Sequence, residues 1–400
     1  MIAQQARVLG PSRGPRYVLF PVRPRGHGIG PIAGNGDFIG NSESPANCRS
    51  APGLRYAAVE VLSQGKAAVF KEPVGPRGVA IEERERTSVR AGQVAVAIRS
   101  AALNHLDLWL ISGAQRVQPP RVLGADGAGV VVESGTQCWK PGDEVVIYPV
   151  SCCWQCDACR AGQQVLCPQF GILGEHTDGT ACELLHVPGQ NVYPKPAALS
   201  WDEAAAFPLT FLTAWRMIVT RARLRAGETM LVVGAGAGVA VAAIAIGRKM
   251  GARILATSRS EAKRQRAVAL GAEAAFDSSG FSKPVREASE GGVDVVFEHV
   301  GPATLDESLR SIRRGGRIVF CGSTTGVKAE LNMPRLFFGQ TDLLGSTMGN
   351  AGEFVEVLDA INNGMRPEVD STFPLPDAVA ALERLDQAEQ FGKVILQVSR

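Results

Sequence analysis

The stretch "LVVGAGAGVAVAA", residues 231–243, decides the fold. A short β-prone run leads into Gly234, Gly236 and Gly238, and small helix formers follow at once. Glycines in that position permit a tight turn and let backbone N–H groups at a helix N-terminus approach a phosphate. The uncharged stretch around it, residues 230–247, has the length of a short membrane span. Its glycines sit between β formers and helix formers, however, so it reads as strand, turn and helix, and no membrane partner is expected.

Downstream the same pattern repeats. "ARILATSRSEAKRQRAVALGA" and "GVDVVFEHVG" continue strand–helix–strand, and "GGRIVFCGS" and "TDLLGSTM" supply later strands. Alternating β and α implies an α/β class with a doubly wound parallel sheet and right-handed crossovers. The strand in "ARILATSRS" should end beside the ribose of a bound dinucleotide, where an NAD site commonly carries an acid. This chain offers Ser258 and Arg259, with Lys263 one turn on. With no carboxylate to repel a 2′-phosphate and a guanidinium to pair with it, the cofactor is expected to be NADP(H), with NAD the alternative.

Upstream, "GKAAVF" and "QVAVAIRSAALN" read as strands. To about residue 196 short apolar runs such as "GAGVVVESG", "KPGDEVVIYP" and "TDGTACELLHV" alternate with Gly, Pro and Asp turns. That spacing indicates an antiparallel, barrel-like β domain. "SWDEAAAFPLTFLTAW" then reads as two successive helices, and "GKVILQV" as a final strand. Residues 1–62 are rich in Gly, Pro and Arg without a helical or strand period, and are expected to be a disordered extension.

Net charge is +3, and the first sixty residues hold seven Arg against three acids, which more than accounts for it. Together with an aromatic content of 6%, this gives no reason to expect a nucleic-acid partner. No signal-peptide pattern opens the chain, so a cytoplasmic, reducing location is expected, where clustered cysteines favour metal over disulfide.

Five of the nine cysteines lie in "SCCWQCDACRAGQQVLC", residues 151–167. Cys153, Cys156, Cys159 and Cys167 have the spacing to surround one Zn2+ as a closed tetrahedral site, which folds a loop and leaves no position for substrate. Cys152 is an adjacent competitor. Cys48, Cys138, Cys182 and Cys321 stand apart and read as small buried hydrophobes.

The order of these parts resembles the medium-chain dehydrogenase/reductase superfamily, in its zinc-containing alcohol dehydrogenase-like branch. The resemblance is carried by "ALNHLDLW", "LGADGAGVVVESG", the cysteine lobe, "FPLTFLTAW" and the glycine loop. It implies a GroES-like catalytic domain over residues 63–200 and 346–400, with a zinc lobe at 151–168, and a Rossmann NADP-binding domain over 201–345. Ala240 stands where relatives often have a last loop glycine, and Val239 precedes it at the cofactor.

Relatives place a catalytic zinc on a Cys, a His and a second Cys. Asn104, Ala125 and Leu209 occupy those positions here, with Asp126 and Thr210 beside them. None offers the expected ligand, so the resemblance shifts towards quinone oxidoreductase and enoyl reductase relatives. The expectation is NADPH-dependent reduction of an activated double bond (enal, enone, enoyl or quinone) in a small-molecule substrate, without a catalytic zinc. The alternatives are an alcohol dehydrogenase or carbonyl reductase and an inactive NADPH-binding protein. By resemblance, His105 is the acid candidate, or else a contact to cofactor phosphate. Asn104 and Asp107 are placed with it in the catalytic set, Asp107 to orient His105 or to brace the loop; Thr213 touches the nicotinamide, and Trp109 walls the pocket or packs in the core. Glu175 and His176 read as a solvated turn, with a substrate-side role as the other reading. "GGRIVFCGSTTG" would lie near the nicotinamide, and "TDLLGSTMG" would join a homodimer or homotetramer.

Overall fold

The run Gln93–Ala102 is the hub of the first half of the chain in the computed structural model, which describes residues 64–85, 87–115 and 117–399. The extension expected over 1–62, with Cys48 in it, lies outside the described residues. The hub pairs antiparallel with Asp126–Ser134. Along its other edge lie Leu184–Pro188 at its start and Lys393–Gln397 at its end. The chain's last strand therefore sits beside residues 100–102, next to the start of the candidate site. Glu144–Ile147 and Val192–Pro194 extend this sheet on one side and Val369–Pro374 on the other. Val79–Glu85, Gln64–Phe70 and Arg121–Val122 form a separate three-stranded sheet. With the helix Trp201–Ala206 packed against the hub, most of its residues are buried, which explains a nearly continuous apolar run where a half-exposed strand would alternate.

Helix α1 (His105–Ile111) follows the hub directly. A capping box starts it: the Asn104 N–H donates to Asp107 Oδ2 at 2.8 Å. The other oxygen of Asp107 accepts from the Gly124 N–H at 2.8 Å, which ties the helix to the segment leading into Asp126.

The second half is built on six parallel strands: β1 (Thr229–Val232), β2 (Arg253–Thr257), β3 (Ala274–Phe276), β4 (Val293–Glu298), β5 (Ile312–Phe320) and β6 (Asp342–Gly345). Their order is β3-β2-β1-β4-β5-β6. The order reverses between β1 and β4, and a crevice opens beyond their carboxyl ends, the place where such sheets hold ligands. The uncharged stretch 230–247 divides into β1, the glycine loop and most of helix α2 (Gly238–Lys249). Among the described residues no helix is long and apolar enough to cross a membrane.

An aromatic cluster fixes the helix Ala351–Asn362 against the first half of the chain. The buried Tyr148 hydroxyl donates to the Gly349 carbonyl at 2.8 Å, and its ring lies 5.5 Å from that of Phe354 in the helix Ala351–Asn362. The cysteine lobe is fastened to the same place. The Val165 N–H donates to Asn350 Oδ1 at 3.1 Å, and Gln164 Oε1 accepts from the Ala351 N–H at 3.1 Å.

Within the lobe, Sγ of Cys153 lies 3.9 Å from Cys159 and 3.5 Å from Cys167, and Cys156 lies 3.8 Å from Cys167. Four sulfurs bonded to one zinc at about 2.3 Å stand about 3.8 Å apart in a tetrahedron, so the set fits the ion closely. Backbone N–H groups of Cys156 and Gln169 point at Cys153 and Cys167 at 3.3 Å, the outer contacts that thiolate ligands use. Among the described residues this is the one group of His, Cys, Asp and Glu close enough to enclose a metal. Cys182 is buried, with its thiol donating to backbone carbonyls. Cys138 is disulfide-bonded, which its isolated place in the sequence does not show. Elemental analysis should find one zinc per chain. The Cys156→Ser/Cys159→Ser variant should lose it along with a cooperative thermal transition, and two zincs per chain would contradict this assignment.

Candidate functional site

The first turn of the glycine loop is shaped by two positive-φ residues, Gly234 (φ 78°) and Gly236 (φ 120°). Thr257, at the end of β2, holds the turn: its carbonyl accepts from the Ala235 N–H at 2.6 Å and its hydroxyl from the Gly234 N–H at 3.1 Å. A Cβ at Gly236 would stand 2.7 Å from Lys263 Cδ, and one at Gly238 would stand 2.9 Å from Lys393 Cδ. Two lysine stems therefore lie against the loop, one from helix α3 (Glu261–Leu270) and one from the final strand. Ala240 is fully buried, so its methyl fills the helix–strand contact that a last loop glycine would otherwise tighten. Val239 is half-buried in the first turn of α2. The first amides of α2 have no intrahelical acceptor, and with the helix dipole they favour an anion here.

Beyond β2, Ser258 is buried and donates its N–H to the Phe276 carbonyl at 3.0 Å. Arg259 is exposed and has no acidic partner among the described residues. The acids on this loop, Glu261 and Asp277, are both bound by Arg264. Lys263 points elsewhere: its Nζ donates to the Ala388 carbonyl at 2.6 Å, which carries it across the glycine loop and away from the ribose side.

The centre of the site is a buried polar network on the three positions that would hold a catalytic metal. Asn104 Nδ2 donates to Asp126 Oδ2 at 2.9 Å. Lys393 Nζ donates to the same oxygen at 2.8 Å and to Asn104 Oδ1 at 2.5 Å. Asp126 Oδ1 accepts from the Leu209 N–H at 2.6 Å. The Lys393 side chain is 4% exposed and that of Asp126 is 0% exposed. Asn104, Ala125 and Leu209 cannot replace two thiolates and an imidazole, and the one carboxylate in reach is already committed to an ammonium, an amide and a backbone N–H. The donor set does not fit a catalytic zinc.

His105 opens α1 beside this network. Burial, with His299 and Lys393 adding positive charge, lowers its pKa from 6.5 to about 4, so it is a neutral imidazole at neutral pH. Burial raises Asp107 to about 6, against the N–H groups of Asn104 and Gly124. Its contacts are those of a brace. Thr213 is buried in the helix Pro208–Trp215, with its hydroxyl against Met348 Sδ at 3.8 Å. The Trp109 ring reaches the far half of the crevice, where a Cβ at Gly322 would stand 3.5 Å from Cη2. Glu175 is largely enclosed and burial pushes its carboxyl up. Its neighbour His176 is half-exposed, and its Nδ1 accepts from the Ile172 N–H at 3.2 Å. The structure does not bring this pair into the Asn104 network.

Two residues of the site were read in the sequence only as parts of strands. Lys393 is the lone charge in "GKVILQV", a signal that a buried strand had placed a cation on purpose. His299 closes "VDVVFEH" just before a glycine, at the end of a strand that the sheet order sends to the crevice.

Known proteins share this fold. Residues 90–197 match the family model of the alcohol dehydrogenase GroES-like domain, and residues 238–363 that of zinc-binding dehydrogenases. Acryloyl-coenzyme A reductase of Metallosphaera sedula is 30% identical over 80% of this chain and 96% of its own. A solved structure described as an NAD-dependent alcohol dehydrogenase is 40% identical, with a TM-score of 0.81 over 84% of this chain and 100% of that one. A 2-octenoyl-CoA carboxylase reductase, solved with NADP and 2-octenoyl-CoA, is 26% identical, with a TM-score of 0.79 over 84% of this chain and 88% of that one. The two family models and these relatives agree, and the chain belongs to the zinc-type medium-chain dehydrogenase/reductase family of oxidoreductases.

Proposed function

We propose that this protein is an NADP(H)-dependent reductase of α,β-unsaturated acyl thioesters that works without a catalytic metal. The observation that carries the reading is the Lys393–Asp126–Asn104 network, a buried cation held by protein groups where a metal would need three ligands. Polarising a simple carbonyl for reduction calls for a strong electrophile, whereas a conjugated double bond spreads the arriving charge onto an enolate oxygen that hydrogen bonds can hold. The named relatives that act on acryloyl and octenoyl thioesters support this class of substrate. When bound, NADPH supplies the hydride.

The chain's own residues would divide the remaining work. The α2 amides, Gly234, Gly236 and Lys263 meet the pyrophosphate, and Arg259 and Ser258 meet the 2′-phosphate. The Lys393 ammonium has one N–H left after its two bonds and adds positive charge at the reacting end. Asn104 and Asp126 keep it there, Asp107 holds α1 in place, and Thr213 flanks the nicotinamide. His105 becomes a usable acid only when phosphate charge among these cations draws a proton onto it.

The 40% identical structure described as an NAD-dependent alcohol dehydrogenase favours a second reading, NAD-linked carbonyl chemistry. Crotonyl-CoA, crotonaldehyde and quinones offered with NADPH or NADH separate the two. Butyryl-CoA as product supports the reductase, crotyl alcohol supports the second reading, and no turnover with bound NADPH leaves the inactive binder. Arg259→Ala should raise KM for NADPH about tenfold and leave that for NADH unchanged.

Lys393→Met should lower kcat strongly and cost about 3–5 kcal/mol of stability, because it strands the buried Asp126. The Asp126→Asn/Lys393→Met pair should recover most of that stability in thermal melts without recovering turnover.

We also propose a homodimer paired through β6. Next to that edge strand, helix α4 (Met333–Gly339) presents Met333, Phe337 and Phe338 at 58%, 53% and 69% exposure. Sedimentation should give twice the chain mass, and Phe338→Asp should shift the species towards monomer.

A further inference from the structure

We propose that His299 is a cofactor-binding residue whose Nε2 donates to a phosphate oxygen on the nicotinamide side of the dinucleotide. The proposal rests on the NADP(H) reading above and extends it to a residue with no role there.

His299 is the first residue after β4, on the wall of the crevice that faces the glycine loop across the reversal in strand order. Its Nε2 is buried and has no hydrogen-bond partner among the described residues. The atom that faces it is missing by design, because a Cβ on Gly234 would stand 3.1 Å from Nε2 and 2.8 Å from Val300 Cγ2. The left-handed φ of Gly234 and this close approach both require glycine, so the loop's first turn makes room for the imidazole.

Nor is the adjacent acid free to engage the ring. The Glu298 carboxylate accepts from the N–H groups of Val300 and Gly301 at 2.7 and 3.1 Å, and from the hydroxyls of Thr304 and Ser308 at 3.0 and 2.7 Å. The stems of Lys263 and Lys393 lie against the same glycine loop, at Gly236 and Gly238, while His105 from α1 is itself neutral and feels the acid Asp386 as well as these lysines. Burial keeps the His299 imidazole towards its neutral form, with Glu298 and the backbone of Gly234 and Val233 opposing that. A neutral ring with an unpartnered nitrogen, beside a glycine loop flanked by two lysines and a helix N-terminus, suits an anionic oxygen.

The half of the cofactor follows from strand order. Ser258 and Arg259 extend from β2 on one side of β1, and His299 extends from β4 on the other. On that second side a Cβ at Gly322 would meet both the His299 carbonyl oxygen and the Trp109 ring at 3.5 Å. His299 therefore belongs with the reacting end of the crevice, away from the adenosine.

Fluorescence titration of the full chain with NADPH and with adenosine 2′,5′-bisphosphate, without any acyl substrate, tests this. His299→Ala should weaken NADPH about tenfold and leave the bisphosphate unchanged, and His299→Gln, which keeps an N–H donor, should recover part of the loss. Unchanged NADPH affinity overturns the proposal, and so does an equal loss for both ligands, which would mean a distorted crevice. If the unaltered protein binds neither NADPH nor NADH, the cofactor reading fails along with it. If NADPH binds and depends on His299 while crotonyl-CoA is not reduced, only the substrate reading fails.

Discussion

The carboxylate of Asp126 receives an ammonium, a side-chain amide and a backbone N–H while lying entirely out of solvent. Each donor comes from a different part of the chain: Asn104 between the hub strand and α1, Leu209 at the start of the helix that carries Thr213, and Lys393 at the head of the last strand. A buried charge is tolerable only while every partner stays in place, so this one group fixes how the segments meet. The candidate site is the space those segments enclose, and its geometry follows from the needs of a single carboxylate.

The same arrangement explains why metal chemistry and this network exclude each other here. A zinc ion brings two positive charges and requires deprotonated ligands converging on it, whereas Lys393 brings one charge on a stem anchored in a strand. The ammonium can hold and orient negative charge, but it offers no vacant coordination position. On the proposed reading, an amine in the place of a metal would suit reactions in which charge is delocalised before it must be stabilised.

Much of this was legible in the sequence, because the signals are local. The glycine loop, the cysteine spacing and the alternation of strands and helices each span fewer than twenty residues, and the parallel sheet and the thiolate cluster follow from them. The missing ligands at Asn104, Ala125 and Leu209 were also visible, but their replacement was not. Lys393 meets Asn104 across 289 residues, and nothing local to "GKVILQV" says which partner the lysine finds. Lys263 sits one turn beyond Arg259, where its spacing suits the ribose, yet a carbonyl from residue 388 captures it. His105 looks like a neutral-pH acid by residue type, and burial, with His299 and Lys393 nearby, lowers it to about 4.

The cysteine lobe gives its bonds to Asn350 and Ala351, at the start of the helix that carries Phe354 against the ring of Tyr148. A zinc ion in this lobe would thus brace the start of a helix almost two hundred residues further along the chain. Removing the metal would loosen that brace, in line with the loss of a cooperative thermal transition, without touching any member of the Asn104 network.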